Sequence, residues 1–353
     1  MSEVFLKILN MSISASWLVF AVLLLRLALK RAPKWVSVLL WGFVAVRLIC
    51  PFSMESMFSL IPSAQTVSPD IMMDWTPTIS TGISSLDNIV NPIITQTFAP
   101  DPLSSANPLQ ILIPVASIVW LFGIAVMLVY TAISYILLRR KVATAVLLQN
   151  RIYQSENAPS PFVLGILKPR IYLPFQMTEG DLSYVIAHEQ AHIRRKDHLW
   201  KPLGFVLLAI HWFNPLMWLA YILLCRDIEL ACDEKVVKDM DTQQKADYSQ
   251  ALLSCSVNRH MIAACPLAFG ETGVKQRIKA VLHYKKPALW IIIIALILCA
   301  LLAVGFLTNP AGPWKTDEIC YVSGRIYGHP MMSFEPSLLG DGLLRVTEQN
   351  VLQ

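Results

Sequence analysis

Long apolar runs, separated by clusters of basic residues, dominate this chain. Four of them, at 13–29, 35–52, 111–138 and 287–307, are almost wholly apolar. Each is close to or above the ~20 residues with which a helix crosses a bilayer. The pattern therefore predicts four transmembrane helices and a mainly α-helical, polytopic fold.

The composition favours the same class of protein. Hydrophobic residues make up 55% of the chain and charged residues 15%, with a mean hydropathy of +0.53, whereas about a quarter of the residues in a soluble domain are charged. The net charge of +5 is uneven, because no Lys or Arg occurs between Arg47 and Arg139. Since the basic residues flank apolar runs and form no single patch, they indicate topology. We expect the lipid bilayer as a partner and no direct contact with nucleic acid.

The positive-inside rule gives one threading of the four helices. The basic turn at 31–34 is cytoplasmic, the loop whose only charges are acidic is outside, and the basic region after it is inside. Both the N-terminus and the C-terminus are then outside. The predicted organisation is two helices in 1–52, an extracytoplasmic loop at 53–110, a third helix at 111–138, a cytoplasmic domain at 139–286, a last helix at 287–307 and a short extracytoplasmic tail at 308–353.

The segment 199–225 does not fit this count. It is apolar, but His211 and Asn214-Pro215 divide it into halves that are too short to cross a bilayer. A full crossing here would also move Lys285-Lys286 to the outside, against the charge rule. We therefore expect a membrane-dipping pair of helices that places the neighbouring chemistry at the lipid boundary.

The candidate chemistry begins at His188-Glu189-Gln190-Ala191-His192, within a stretch of helical periodicity. His188 and His192 lie one turn apart on one helix face, so two imidazoles can bind one metal ion. In H-E-x-x-H sites the glutamate, here Glu189, is the general base. Two solvated histidines on an amphipathic helix are the alternative, and a third ligand decides between them.

That third ligand is predicted in the sequence RDIELACDE, at 226–234. Glu229 and Asp233 are four residues apart and share a helix face. Two histidines, Glu229 and one open position form the ligand set of a catalytic zinc site, with one Zn²⁺ per chain. Asp233 would orient a ligating imidazole from behind. No other cofactor is expected, and the seven cysteines, none in a C-x-x-C pair, are interpreted as reduced small hydrophobic residues.

Hydrolysis of a peptide also needs a surface for the substrate backbone. The sequence PFVLGILKPRIYLP, at 161–174, contains two β-prone runs around Gly165 and Lys168-Pro169 and predicts a β-ribbon before the motif helix. An edge strand there could bind an extended peptide, although a purely structural hairpin is the open alternative. Asp197, His198 and His211 rank lower as candidates.

These motifs together resemble the BlaR/MecR sensor-transducer metallopeptidases. The order PFVLGILKPRIYLP, HEQAHIRRKDH, HWFNPLMW and RDIELACDE is similar to that of the family. The resemblance implies an embedded α+β, gluzincin-like domain in a bacterial cell membrane, with zinc on His188, His192 and Glu229 and with Glu189 catalytic. It also implies a signalling peptidase that cleaves a cytoplasmic transcriptional repressor, with cleavage of itself left open.

The chain departs from that family after the last predicted span. The beta-lactam sensors carry an external penicillin-binding domain with an S-x-x-K nucleophile, and no S-x-x-K occurs in this sequence. Residues 308–353 are too few for a substantial independent domain. Direct acylation by beta-lactams is therefore not expected.

Two other functions stay open from the sequence. Membrane zinc peptidases of the quality-control and prenylated-protein type also combine HExxH with ExxxD and would act on many membrane substrates. A receptor or scaffold with a vestigial or structural metal site is the non-enzymatic alternative. A homodimer is also left open.

Overall fold

The computed structural model describes residues 1–50, 55–63, 65–74, 76–98, 108–158, 160–175, 177–257 and 273–310. Helices predominate within these ranges. The elements in chain order are α1 (Ser2–Ala28), α2 (Lys34–Ile49), β1 (Glu55–Ser56), α3 (Ser84–Phe98), α4 (Pro108–Lys141), β2 (Val146–Gln149), β3 (Ile152–Ser155), β4 (Phe162–Leu164), β5 (Arg170–Pro174), α5 (Glu179–Arg194), α6 (Asp197–Ile210), α7 (Pro215–Val237), α8 (Thr242–Val257), α9 (Val274–Leu282), α10 (Leu289–Leu307) and β6 (Asn309–Pro310).

Three of the described helices, α1, α4 and α10, are long and apolar enough to cross a membrane. Helix α2 has 16 residues, which at 1.5 Å per residue span about 24 Å and fall short of a ~30 Å hydrocarbon core. The threading with four spans, its sidedness and the domain boundaries stay predictions. The predicted tail lies, from residue 311 onward, outside the described residues.

The largest apolar core joins α1, α2, α6, α7 and α10. On α2, Val36, Leu40 and Val44 follow one another at helical spacing and are almost fully buried. Helix α2 packs along α7 and also contacts α1, α6 and α10. The short helix thus packs against its neighbours on one face, while Trp35, Leu39 and Val46 stay exposed. It fixes the position of α7, which carries the predicted third ligand.

The acidic loop contains a helix that the sequence interpretation missed. Residues 84–98 form α3, although its proline, serine and asparagine content suggested a loop. Asp87 in the first turn accepts hydrogen bonds from the Thr81 backbone N–H and hydroxyl at 2.8 and 2.6 Å, and an acid there suits the helix dipole. Asn91 binds the backbone N–H and C=O of Ile79 at 2.8 and 3.0 Å. These hydrogen bonds tie the segment before the helix to its first two turns.

The predicted β-ribbon is confirmed and belongs to a larger sheet. Strands β4 and β5 pair antiparallel with Phe162 opposite Tyr172. The sheet has the order β2-β3-β5-β4, so β4 is an edge strand. The hairpin of β2 and β3 was missed; its turn places Asn150 and Arg151 at positive φ, as tight hairpin turns require. The sheet lies beside α5, so the edge strand can border the site.

The apolar segment after the motif helix is divided as its sequence indicates. Helix α6 ends at Ile210, and α7 begins after Asn214, whose side chain accepts a hydrogen bond from the Leu216 N–H at 2.9 Å. Pro215 at the first helical position completes this start. The acidic sequence at 226–234 continues the same helix, so the second half of the predicted membrane-dipping pair and the third-ligand helix form one element.

Candidate metal centre

Helix α5 brings the two histidines of the motif together. His188 and His192 lie one helical turn apart and are 4% and 8% exposed. Their Nε2 atoms are 3.1 Å apart. Because one turn of α-helix aligns residues i and i+4, this half of the site follows from five consecutive residues.

Helix α7 adds a carboxylate to the two imidazoles. Glu229 Oε2 lies 3.5 Å from His188 Nε2 and 3.5 Å from His192 Nε2. A tetrahedron with zinc–ligand bonds of 2.0–2.1 Å has edges of about 3.3–3.4 Å. The three donor atoms therefore have the spacing of one face of such a tetrahedron, and the residues present fit a single metal ion.

Further side chains contact the Nδ1 atoms of both imidazoles and fix the orientation of the rings. His192 Nδ1 lies 2.8 Å from Asp197 Oδ2. His188 Nδ1 lies 2.8 Å from the Tyr248 hydroxyl, which donates to Asp233 Oδ1 at 2.7 Å. Both Nδ1 atoms thus have acceptors, an arrangement that places the lone pair of each ring on Nε2, the atom through which a metal would be bound.

Two buried cations in the site were missed from the sequence. Lys201 Nζ donates to Glu229 Oε1 at 2.7 Å, so one carboxylate oxygen is bound by lysine while the other faces the imidazoles. Arg277 lies 3.3 Å from Glu229 Oε2 and binds both oxygens of Asp233 at 2.7 Å. Lys201 could have been found, because an ionisable residue inside an apolar segment is itself a sign of function. Arg277 lies between Lys275 and Lys279, in a basic stretch where one more cation does not stand out.

The carboxylates make the site attractive to positive charge. Burial by itself raises the pKa of the Glu229 carboxyl, but Lys201 and His192 outweigh burial and hold that pKa well below its usual value. Burial likewise lowers the pKa of His192, but Cys232, Glu229 and Asp197 raise it to well above the usual value. A buried carboxylate that stays ionised beside two imidazoles is a suitable partner for a divalent metal.

Cys232 was interpreted from the sequence as a small hydrophobic residue, and its placement changes that interpretation. The donor atoms of His188, His192 and Cys232 all lie within 4.8 Å of one another. Cys232 follows Glu229 by three residues on α7, and its Sγ lies 3.4 Å from the backbone oxygen of His188. The thiol is thus a further donor beside the same imidazoles.

A cleft opens onto this group of donors. Its wall is formed by residues 161–166, which include edge strand β4, and by His198 and Lys201 of α6. Glu189 also lines the cleft and makes no hydrogen bond or ion pair with any residue that the structure describes. An acid beside the donors and without a fixed partner is free to exchange a proton with a bound molecule.

Of the lower-ranked candidates, Asp197 and His198 lie at the site and His211 lies away from it. Asp197 orients His192, and His198 lines the cleft. His211 is fully buried, and its Nδ1 lies 3.0 Å from the backbone oxygen of Leu207 on its own helix. His211 does not line the cleft and packs near Phe213.

Two known bacterial proteins are similar to part of this chain. The methicillin resistance MecR1 protein of Staphylococcus aureus is 30% identical over 161 residues, which are 42% of this chain and 28% of MecR1. The regulatory protein BlaR1 of Bacillus licheniformis is 25% identical over 194 residues, which are 47% of this chain and 32% of BlaR1. The aligned part of this chain thus spans about a third or less of the length of these relatives.

The family match extends over most of the chain. The BlaR1 peptidase family M56 matches residues 6–281, a range that includes α5, α7 and the cleft between them. With its long apolar helices, the protein is a membrane protein of the metallopeptidase type. The chain therefore belongs to the BlaR1 peptidase family, M56.

Proposed function

We propose that this chain is a zinc metalloendopeptidase of bacterial signal transduction. The observation that carries the proposal is the triangle of donor atoms on His188, His192 and Glu229, with edges of 3.1, 3.5 and 3.5 Å. Glu189 lines the same cleft. Two imidazoles, one carboxylate and an open side are typical of catalytic zinc.

Each group has a distinct task in the proposed reaction. Bound zinc would supply a Lewis acid and lower the pKa of a coordinated water. Glu189 accepts the proton of the attacking water and delivers it to the leaving amine. Lys201 neutralises one oxygen of Glu229 and keeps the other directed at the imidazoles. Asp233 and Tyr248 hold His188 in the tautomer that ligation needs.

Edge strand β4 supports the choice of a peptide as substrate. Residues 161–166 line the cleft, and among the described strands β4 pairs with β5 alone. An extended peptide can add to the free edge as a further strand and present one peptide bond to the donors. Phe162 and Leu164 of β4 are almost fully buried in an apolar cluster, so an added peptide would contact mainly the backbone of β4.

The charge pattern and the relatives support the wider role. We propose that 139–286 lies on the cytoplasmic side with both termini outside, because basic residues flank those helix ends. The proposed substrate is a cytoplasmic transcriptional repressor, in keeping with a relative named as a regulatory protein. Cleavage of the chain itself and a homodimer are the further parts of this proposal.

Glu189→Gln tests the enzymatic part. The full chain, reconstituted in lipid vesicles, is incubated with a candidate repressor, and the fragments are identified by mass spectrometry. We expect at least about a hundredfold slower cleavage, the loss typical of removing a general base. Zinc content should stay unchanged, because Glu189 is not one of the three donors.

The matched control is Glu156→Gln, an exposed acid in the same domain, and it should cleave like the parent chain. Fragments that appear at equal rates from the parent chain and the Glu189→Gln variant would contradict the proposal. Many cleaved membrane proteins in treated membranes, in place of one or two repressors, would instead favour housekeeping duty.

One observation favours a non-catalytic metal site as the second candidate. If the Cys232 thiol joins the imidazoles and Glu229, four protein ligands close the ion, as in structural zinc sites. The variant Cys232→Ala distinguishes an open catalytic site from a closed structural one. An open site keeps its zinc and its cleavage in this variant, whereas a closed structural site loses zinc affinity and thermal stability together.

A further inference from the structure

Arg277 of α9 is the largest fully buried side chain of the described residues, and it lies against the metal-binding candidates. Its Nε and one terminal nitrogen donate to the two oxygens of Asp233, each at 2.7 Å. The same terminal nitrogen lies 3.3 Å from His188 Nε2, and the other lies 3.3 Å from Glu229 Oε2. One guanidinium thus reaches two of the three donor atoms.

Such burial needs a reason. Removing a guanidinium from water costs several kcal/mol, and good geometry with full hydrogen bonding is needed to offset the cost. The planar fork of arginine meets a carboxylate with two parallel hydrogen bonds, which fix orientation as well as charge. Asp233 in turn lies 3.3 Å from His188 Nδ1. Arg277 therefore contacts Glu229 directly and contacts His188 also through Asp233.

The position of α9 is set by a second contact on the same face. Val281, one turn after Arg277, is buried with Val237, Tyr248 and Leu252 in an apolar cluster. Tyr284 packs at the edge of that cluster, just before α10 begins at Leu289. The chain that leads to the last apolar helix thus carries Arg277 to the metal donors.

We propose that Arg277 is a positioning residue of the metal site, which holds Glu229 and the pair Asp233–His188 at the spacing that a metal ion requires. The proposal rests on the proposed function, because it concerns the same three donors. It assigns to α9, outside both motif helices, a direct effect on metal affinity.

The direction in which the zinc affinity changes distinguishes a positioning role of Arg277 from an effect of its charge. A cation near the donors repels a divalent ion, so by charge alone Arg277→Met would bind zinc more tightly. By positioning, the variant binds zinc more weakly, because Glu229 and Asp233 lose the group that orients them. Arg277→Lys keeps the charge and loses the fork, so positioning predicts weaker binding for this variant as well.

The matched control is Arg26→Met. Arg26 binds both oxygens of Asp227 at 2.7 Å. Asp227 lies on α7, like Asp233, and two residues before Glu229. Arg26 forms a pair of the same geometry, but it contacts none of the three donors. Both Met variants should unfold at a lower temperature, and only the Arg277 variant should lose metal affinity.

The experiment uses the full chain in lipid nanodiscs, with Zn²⁺ affinity measured by competition with a chromophoric chelator below the unfolding temperature. Co²⁺ in place of zinc reports the ligand geometry through its visible absorption. We expect roughly ten- to a hundredfold weaker zinc binding for Arg277→Met and Arg277→Lys, the range for partners behind metal ligands. The cobalt spectrum should change in both variants and stay that of the parent chain in Arg26→Met.

Three outcomes would overturn the inference. Equal affinity in all variants, with lower unfolding temperatures, would make Arg277 a structural residue only. Tighter binding in Arg277→Met would show that its charge dominates. A parent chain that binds no zinc would refute the proposed function itself, and that failure is visible before any variant is made.

Discussion

Helices α5 and α7 supply the two halves of the site, and their polar residues find partners at different distances along the chain. On α5, His188 and His192 lie within five residues, and Asp197 orients His192 from five residues further on. On α7, Glu229 is bound by Lys201, 28 residues earlier. Asp227 is bound by Arg26, 201 residues earlier. His192 is thus oriented by a residue that is close in the chain, whereas the binding of Glu229 and Asp227 requires the assembled fold.

This difference separates two kinds of damage. A change beside α5 should reduce metal binding and leave the fold in place, because the partner is local. A change beside α7 should reduce the stability of the helix assembly, because its partners come from α1, α6 and α9. The three predictions below test this separation.

The largest expected effect is that of Asp227→Asn. Asp227 is 1% exposed, accepts two hydrogen bonds from Arg26 and a third from Trp41 Nε1 at 2.9 Å. Breaking a buried pair costs about 3–5 kcal/mol, and we expect the lower end because the Arg26 side chain keeps 20% of its exposure. The thermal midpoint in detergent should fall clearly, with zinc affinity unchanged below it.

Asp239→Asn is the control for this change. Its partner is Lys286 at 3.1 Å, and both side chains are largely exposed, so screening by water leaves little to lose. Equal midpoints for the two variants would show that the pair of Arg26 and Asp227 does not hold α7 in place.

Asp197→Asn should have an effect of intermediate size, and it should act on metal binding more than on the stability of the fold. The amide can present its nitrogen to His192 Nδ1, which favours the wrong tautomer for ligation through Nε2. We expect zinc to bind about 10–100-fold more weakly. Asp197 also accepts one hydrogen bond from Arg195 Nε at 3.2 Å, which the amide oxygen can accept in the variant, so the thermal midpoint should fall less than in Asp227→Asn. Chelator competition measures the affinity, and differential scanning fluorimetry measures the midpoint.

Asp181→Asn, which removes a half-buried charge near the start of α5 that is bound by the Thr178 hydroxyl, should leave both quantities nearly unchanged. If Asp197→Asn instead lowers the midpoint as much as Asp227→Asn does, the two halves of the site do not differ as proposed.

The difference between partners near in the chain and partners far apart also explains what could be predicted from the sequence. The motif on α5 is contiguous, and helical spacing alone brings its imidazoles together. The β-ribbon at 161–174 was predicted because its two strands are neighbours in sequence. Glu229 was identified because a metal needs a third ligand and the acidic sequence at 226–234 offered one.

The rest depended on contacts between distant segments. Nothing near Arg277 or Tyr248 in the sequence shows that they reach α5, since they lie 89 and 60 residues from His188. Helix α3 was missed because its composition is loop-like and because the hydrogen bonds between Asp87 and Thr81 and between Asn91 and Ile79 are not visible in the sequence. A lysine inside an apolar segment was the one signal that could have been used, and it would have led to Lys201.

The smallest expected effect is that of Tyr248→Phe, because His188 has a second acceptor. The Tyr248 hydroxyl lies 2.8 Å from His188 Nδ1, but Asp233 Oδ1 lies only 3.3 Å from the same nitrogen and can accept its proton when the hydroxyl is removed. Since one hydrogen bond contributes about 1 kcal/mol, zinc affinity should fall less than tenfold. Tyr184→Phe, on a ring that packs against Tyr248, is the control and should match the parent chain. A loss as large as that of Asp197→Asn would mean that Asp233 cannot replace the hydroxyl, and that α5 depends on distant partners as strongly as α7 does.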